Sequence, residues 1–185
     1  MNVTTHRGLT ELEAGLDQVR QSPRDAGTLE LIVGRPAEDE RTVLAEAQLD
    51  VEEGLVGDNW ATRPSSKTSD GAAHPDMQLN IMNARAATLV AVDPARRPLA
   101  GDQLYVDLDL SEANLPPGTQ LALGEAVVEI TAIPHRGCTK FKDRFGAEAL
   151  KFVNSEIGCQ LNLRGVNAKV IRSGTIRQGD AVRRI

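Results

Sequence analysis

The chain has 185 residues, of which 41% are hydrophobic and 25% charged, with a formal net charge of −5. That length lets a single domain bury a core without disulfide or metal staples, and no apolar run is long enough for a membrane helix. Two cysteines exclude a disulfide scaffold, and Met1-Asn2-Val3-Thr4-Thr5-His6-Arg7 lacks the apolar stretch of a secretory signal, so a cytoplasmic location is expected.

Taken in order, Leu9, Leu12, Leu16 and Val19 recur at helical spacing, Thr10 and Glu13 form a capping-box pattern, and Ser22-Pro23 supplies a stop. This predicts a short amphipathic helix in an N-terminal addition, residues 1–27, packed on a main body of residues 28–185. Leu29, Leu31 and Val33 alternate as a strand does, and so do Val43, Ala45, Ala47 and Leu49. The second run enters Gly54-Leu55-Val56-Gly57-Asp58, whose glycines permit backbone shapes that bring peptide N–H groups near a ligand; a plain turn explains the same pattern. Residues 61–77 show no period and read as a long loop. A strand is expected over 77–82, then a helix over 84–92 capped by Asn83 and stopped before Pro94, then a strand over 101–108. Residues 119–123 and 126–133 read as a hairpin around Gly124-Glu125. A helix is expected within 143–155, and strands at 166–171, 175–176 and 181–185 close the chain. Many short strands, turn signals between them and few helices indicate a mainly β, α+β protein built on a barrel.

Charge is divided unevenly. Residues 134–185 hold 11 Lys and Arg against 4 Asp and Glu, while residues 1–133 hold 10 against 22. A nucleic-acid surface would add a basic overall balance and interleaved aromatics, and aromatics are only 3% of this chain. The modest basic segment suits a small anion such as a phosphate or carboxylate; a solvated basic face gives the same count.

At the head of that segment stands Ile133-Pro134-His135-Arg136-Gly137-Cys138-Thr139-Lys140-Phe141. Pro134 cannot donate to a β-ladder, so regular pairing ends there and Cys138 falls on the following loop, where functional side chains concentrate. Arg136, Lys140, Lys142 and His135 are placed to stabilise a thiolate, the reactive form of cysteine. Three chemistries suit such a sulfur. Cys138 and His135 would act as nucleophile and base in a cysteine hydrolase, with Asp58 or Asp143 as orienter. Zinc would take His135, Cys138, Cys159 and His74, although no CxxC spacing is present. An exposed thiolate would also carry sulfur as a persulfide or ligate a soft metal centre. A buried, inert thiol is the plain alternative. No Walker loop, dinucleotide fingerprint or internal repeat is present.

The ordered set Gly54-Leu55-Val56-Gly57-Asp58, Leu115-Pro116-Pro117-Gly118-Thr119, Pro134-His135-Arg136-Gly137-Cys138-Thr139-Lys140-Phe141, Leu163-Arg164-Gly165-Val166 and Ile176-Arg177-Gln178-Gly179-Asp180 resembles the MOSC domain, the family named after the C-terminal domain of molybdenum cofactor sulfurases. The resemblance spans residues 28–185 and implies a MOSC-type β-barrel with a single functional cysteine after a central strand, here Cys138, as molybdenum ligand or persulfide carrier. It further implies a molybdenum cofactor (molybdopterin) or other small anionic ligand held by Arg136, Lys140 and Arg164, with His135 adjacent and Gly54, Gly57 and Asp58 as a facing loop. A sulfur donor or redox protein would be the partner, with no nucleic acid or membrane, and no pyridoxal phosphate site. Where many relatives have Gly-Glu-Asn-Leu this chain has Gly101-Asp102-Gln103-Leu104, and a His-Gly-Gly loop is reduced to His74-Pro75-Asp76. The alternative is a non-catalytic module that binds a small molecule or partner on the same barrel.

Overall fold

A computed structural model describes residues 6–185, so Met1 to Thr5 of the stretch read for a secretory signal lie outside the described residues. Helices α1 (Leu9–Ala14) and α2 (Leu16–Arg20) lead into β1 (Ala26–Gly34), β2 (Thr42–Leu44), β3 (Glu46–Asp50) and β4 (Gly54–Leu55). Then follow β5 (Leu79–Asn83), α3 (Ala84–Ala91), β6 (Leu104–Asp107), β7 (Gln120–Leu123) and β8 (Ala126–Ile130). The chain ends with α4 (Thr139–Phe145), α5 (Ala147–Asn154), α6 (Glu156–Gln160), β9 (Val166–Arg172), β10 (Gly174–Arg177) and β11 (Ala181–Arg184).

Seven strands close into a barrel in the order β11-β7-β8-β9-β5-β6-β1, with β1 returning to β11 and β2 added beside β1. The protein is thus α+β with a barrel, as expected from its many short strands. Strand β1 serves three neighbours by dividing its length: residues 26–28 pair with β11, 28–32 with β6 and 32–34 with β2. Strands β5 and β6 run parallel, which a tight turn cannot achieve, and α3 supplies the crossover. A small second sheet, β10-β3-β4, lies alongside.

Two apolar clusters hold this together. One gathers the inward side chains of the barrel, including Leu29, Ile32, Leu79, Ile81, Leu104, Val106, Leu121, Val128 and Ile130. The other lies where the helices cover the wall, joining Leu31, Val33, Met82 and Tyr105 to Phe141, Phe145 and Phe152 and to Leu12, Leu16 and Val19 of the N-terminal helices. Leu29 and Leu31, expected on one face, belong to different clusters because the β1–β6 register shifts between them.

Other differences trace to backbone punctuation. The predicted N-terminal helix is two short ones separated at Gly15, and its box is Gly8–Glu11 rather than Thr10–Glu13, with Glu11 Oε2 accepting from Gly8 N at 2.9 Å. The strand predicted through Val43 and Leu49 is divided at Ala45 between the two sheets. The helix predicted within 143–155 is α4 and α5, broken by Gly146 at φ 93°. Among the described residues no helix is long and apolar enough to cross a membrane.

Candidate functional site

One end of the barrel carries a cleft of about 440 Å³ whose walls come from loops far apart in sequence. The β1–β2 loop contributes Arg35, Glu38, Asp39 and Arg41; the segment after β4 contributes Asn59, Arg63 and Pro64; β5 contributes Asn80; the turn before β6 contributes Ala100 and Gly101. His135 and Cys138 come from the β8–α4 loop, Lys140, Phe141 and Arg144 from α4, and Arg164 from the turn before β9.

Cys138 is exposed at the start of α4. Its loop is fastened from both sides. Thr131 Oγ1 donates to Asp76 O (2.6 Å), and Asn167 Nδ2 to Ile133 O (2.9 Å). Closer to the sulfur, Asn154 of α5 clasps Gly137, accepting from its N–H at 2.8 Å and donating to its carbonyl at 3.1 Å. A Cβ at Gly137 would come within 2.8 Å of Leu150 Cδ1 and 2.9 Å of Val153 Cγ2, so a larger residue would have to push the loop or those side chains of α5 apart.

Six cationic side chains line the cleft, in three kinds of setting. Arg35 and Arg164 are buried and fixed. The Arg35 guanidinium donates twice to Asp58 (Nε–Oδ2 and NH2–Oδ1, both 2.8 Å) and also reaches Asn80 Oδ1 and Gly101 O. Arg164 NH1 meets Asp102 Oδ2 at 2.6 Å, NH2 meets Ala100 O at 2.9 Å, and the guanidinium carbon sits 5.1 Å from the centre of the Phe141 ring. Lys140 and Arg144 are covered by the exposed acids of the β1–β2 loop, Lys140 by Glu38 at 2.5 Å and Arg144 by Asp39 at 2.6 Å. Arg41 and Arg63 have no ion-pair partner among the described residues, and burial, with repulsion from neighbouring arginines, pulls the pKa of each below its ordinary value.

Behind this wall Asp102 is fully buried, and its second oxygen lies 3.4 Å from His135 Nδ1. The approach is too poorly aligned for a hydrogen bond, and both atoms lack a partner. Burial first, then Arg164, Arg35 and Arg136, hold His135 well below the usual imidazole pKa; burial pushes Asp102 up, opposed by Arg164. Buried polar atoms are ordinarily satisfied. Among the described residues, the unpartnered ones are Arg41 Nε, Asn59 Oδ1, His135 Nδ1, Arg164 Nε, Asp102 Oδ1 and Arg97 Nε; the first four belong to the cleft wall and the fifth stands directly behind it.

The structure thus brings together four of the residues singled out by sequence: Cys138, His135, Lys140 and Arg164. Arg136 lines a neighbouring cavity instead, and its guanidinium reaches its own His135 carbonyl at 3.4 Å. Gly54, Gly57 and Asp58 are not among the lining residues. Gly54 and Gly57, at φ 75° and 83°, turn the chain so that Asp58 reaches inward to Arg35, while a Cβ at Gly54 would press on Gln78 Cγ at 2.8 Å. The carboxylate beside His135 is Asp102, not Asp58, which Arg35 occupies, nor Asp143, which is exposed on α4. Among the described residues no three His, Cys, Asp or Glu side chains gather as a metal site, so the zinc set with His74 and Cys159 is not assembled. Sequence reading missed Arg35, Arg41, Arg63, Asn80, Asp102 and Arg144; the one signal pointing to any of them was the Gly101-Asp102-Gln103-Leu104 departure.

Solved structures with this fold include the YuaD protein from Bacillus subtilis, 13% identical over 85% of this chain and 94% of that one, with a TM-score of 0.64. YiiM from Escherichia coli is 19% identical, covering 85% and 69%, with a TM-score of 0.55. YiiM from Geobacillus stearothermophilus is 14% identical, covering 88% and 73%, with a TM-score of 0.50. At these identities the likeness establishes the fold alone. A search of curated proteins found no match. The model of the MOSC domain matches residues 82–183. That segment carries α3, the Cys138 loop, α4 and Arg164, leaving the Arg35, Arg41 and Arg63 wall outside it; it covers more than half of the sequence, and the chain belongs to the MOSC domain family.

Proposed function

We propose that this protein holds a molybdenum cofactor in the cationic cleft, with Cys138 as the protein ligand to the metal. The observation that carries the reading is the grouping of unpartnered buried polar atoms and two unpaired arginines around one exposed thiol. A cofactor that brings its own metal and most of its ligands asks little of the protein: one soft donor, which Cys138 offers, and cations for a phosphate-bearing tail. The donor set therefore fits. Cys138 would hold the metal, and Arg41, Arg63, Lys140 and Arg144 the anionic end. When bound, the group supplies a redox-active metal centre. Arg35 and Arg164 act at one remove, since their carboxylate partners fix them as part of the wall.

The test is elemental. Wild-type protein from a molybdenum-replete, cofactor-competent host is expected to contain stoichiometric molybdenum, and Cys138→Ser to lose it with an unchanged thermal midpoint. Cold cyanolysis of the same samples measures sulfane sulfur: labile sulfur without metal replaces the ligand reading by the carrier reading. A wild type with neither sinks both and leaves a binding module without a redox centre. Iodoacetamide-sensitive turnover of an ester or amide would instead mark a hydrolase.

A further inference from the structure

The cleft continues past its arginines. A second cavity of about 190 Å³ opens beside the first, and the two share Arg35, Arg63, Pro64, Asn80 and His135. The remaining walls of this second lobe include Trp60, His74 and Met77, and no carboxylate lines it. The indole N–H of Trp60 is engaged by His74 O at 3.3 Å, so the tryptophan is anchored at its edge and offers apolar surface to the lobe. Pro64 and Met77 add more. The volume is below that of a typical whole-ligand cavity, roughly 300–1,000 Å³, and suits a small flat molecule or one end of a larger one.

His135 decides which polar group fits there. Its ring is 14% exposed, and Nδ1 faces Asp102 Oδ1 at 3.4 Å, while Asp102 Oδ2 is held by Arg164 at 2.6 Å. With Asp102 Oδ2 taken by Arg164, a bare Nδ1 would set its lone pair against the lone pairs of Oδ1, so the single proton of a neutral imidazole belongs on Nδ1. Nε2 is then a bare acceptor. A cation would be repelled by Arg35 and Arg63; Arg35 is already neutralised by Asp58, and Arg63, which lines both lobes, is taken up once the first lobe holds its anion.

We propose that the Trp60 lobe is the substrate side of the cleft and takes a flat, uncharged molecule presenting an N–H or O–H donor to His135 Nε2, with Asp102 as the positioning residue that sets this polarity. Naming it the substrate side rests on the reading of the first lobe as the cofactor side; the binding itself does not. No group other than a hydrogen bond is exchanged in this step.

Trp60 is the chain's one tryptophan, so its fluorescence reports on the lobe directly. Three probes separate the claims: nicotinamide is flat and uncharged with an N–H donor, N,N-dimethylnicotinamide keeps the ring and carbonyl without the donor, and nicotinate is anionic. With pyrophosphate present to occupy the unpaired arginines, the full-length protein is expected to show a saturable response to nicotinamide, with the dimethyl form about tenfold weaker and nicotinate weaker still. In Asp102→Asn the amide carbonyl serves Arg164 and the NH2 faces His135, which moves the imidazole proton to Nε2. The nicotinamide preference over the dimethyl form should then collapse toward one. A merely structural role for Asp102 would weaken both probes alike and preserve their ratio. Long-range ¹H–¹⁵N spectra, with His135→Gln as the assignment control, read the tautomer in the wild type and serve even if Asp102→Asn does not fold.

An Nε2–H tautomer in the wild type, equal affinity for the two amides, tighter binding of nicotinate, or no saturable response to any probe each overturns the proposal. The probes are also titrated against Cys138→Ser: retained discrimination there, in a protein whose wild type holds neither molybdenum nor sulfane sulfur, removes the cofactor reading and leaves the lobe standing.

Discussion

Replacing Asp58 by Ala tests how the cleft wall is built. Its side chain is 0% exposed and that of its partner Arg35 4%. Asp58 Oδ2 accepts from Arg35 N (3.0 Å) and Nε (2.8 Å), and Oδ1 accepts from Arg35 NH2 (2.8 Å), Trp60 N (3.0 Å) and Gln103 Nε2 (3.4 Å). Asp58→Ala removes all five acceptor contacts and leaves a guanidinium charge in the barrel mouth with only Asn80 Oδ1 and Gly101 O to meet it. Breaking a buried pair in this one-sided way costs about 3–5 kcal/mol, because the surviving charge keeps its desolvation penalty. At about 2–4 °C per kcal/mol for a chain of this size, the thermal midpoint should fall by roughly 6–20 °C. Urea unfolding followed by far-UV circular dichroism at pH 7 gives the free energy, and the loss should persist at high salt because a buried pair is poorly screened. Replacing both partners by apolar residues, Arg35→Met with Asp58→Leu, removes the orphaned charge and should recover much of the loss. An Asp58→Ala variant within about 1 kcal/mol of wild type would mean that it holds no buried, uncompensated guanidinium.

Arg41 and Arg63 should behave in the opposite sense. Burial and neighbouring arginines disfavour the charge of half-buried Arg41, so Arg41→Gln is expected to hold or raise stability in urea, and Arg63→Gln, at an exposed residue, to leave it unchanged, while each weakens pyrophosphate binding several-fold by calorimetry; destabilisation beyond about 1 kcal/mol would refute the assignment. His135 gives a pH signature. Its folded pKa lies well below the ordinary 6.5, so below about pH 6.5 the unfolded chain takes up a proton that the folded one refuses. Stability should therefore fall toward acid by up to about 1.4 kcal/mol per pH unit and be flat, as far as His135 is concerned, above pH 6.5. Arg164, Arg35, Arg136 and Lys67 disfavour its charge, and Asp102, raised by burial above its ordinary 3.8, is the facing acid. His135→Gln removes the pH 5–6.5 slope while Asp102 remains; parallel wild-type and variant curves would mean that the folded imidazole is charged.

The sequence carried the local features well and the assembled ones poorly. Pro134 ends strand pairing by a rule that acts on one residue, so the exposed loop holding Cys138 was legible, as was the barrel from its short strands and turns. The glycines at 54 and 57 were legible as turn formers, but their service is to aim Asp58 at Arg35, a contact across 23 residues that spacing cannot reveal. Arg41, Arg63 and Asp102 carry no local mark, because the cleft exists only once β1, β5, β6 and β8 close around one barrel end. The charge imbalance shows the same limit. An acidic N-terminal part and a basic C-terminal part were plain, yet their meaning lies in pairs such as Glu38–Lys140 and Asp39–Arg144, which span 102 and 105 residues.

Those pairs also divide the cleft's cations by the cost of freeing them. Arg35 and Arg164 are bound to carboxylates with 0% exposed side chains, so neither is released for a ligand without severe destabilisation. Lys140 and Arg144 are held by Glu38 and Asp39, whose side chains are 80% and 61% exposed; such surface pairs are worth about 0–1 kcal/mol and exchange readily. Arg41 and Arg63 need no release. An incoming anion therefore meets the two unpaired arginines first and then displaces two solvent-exposed acids, while the buried pairs keep the wall in place behind it. The order follows from burial alone, and it puts the most readily exchanged charges on the rim that carries Cys138.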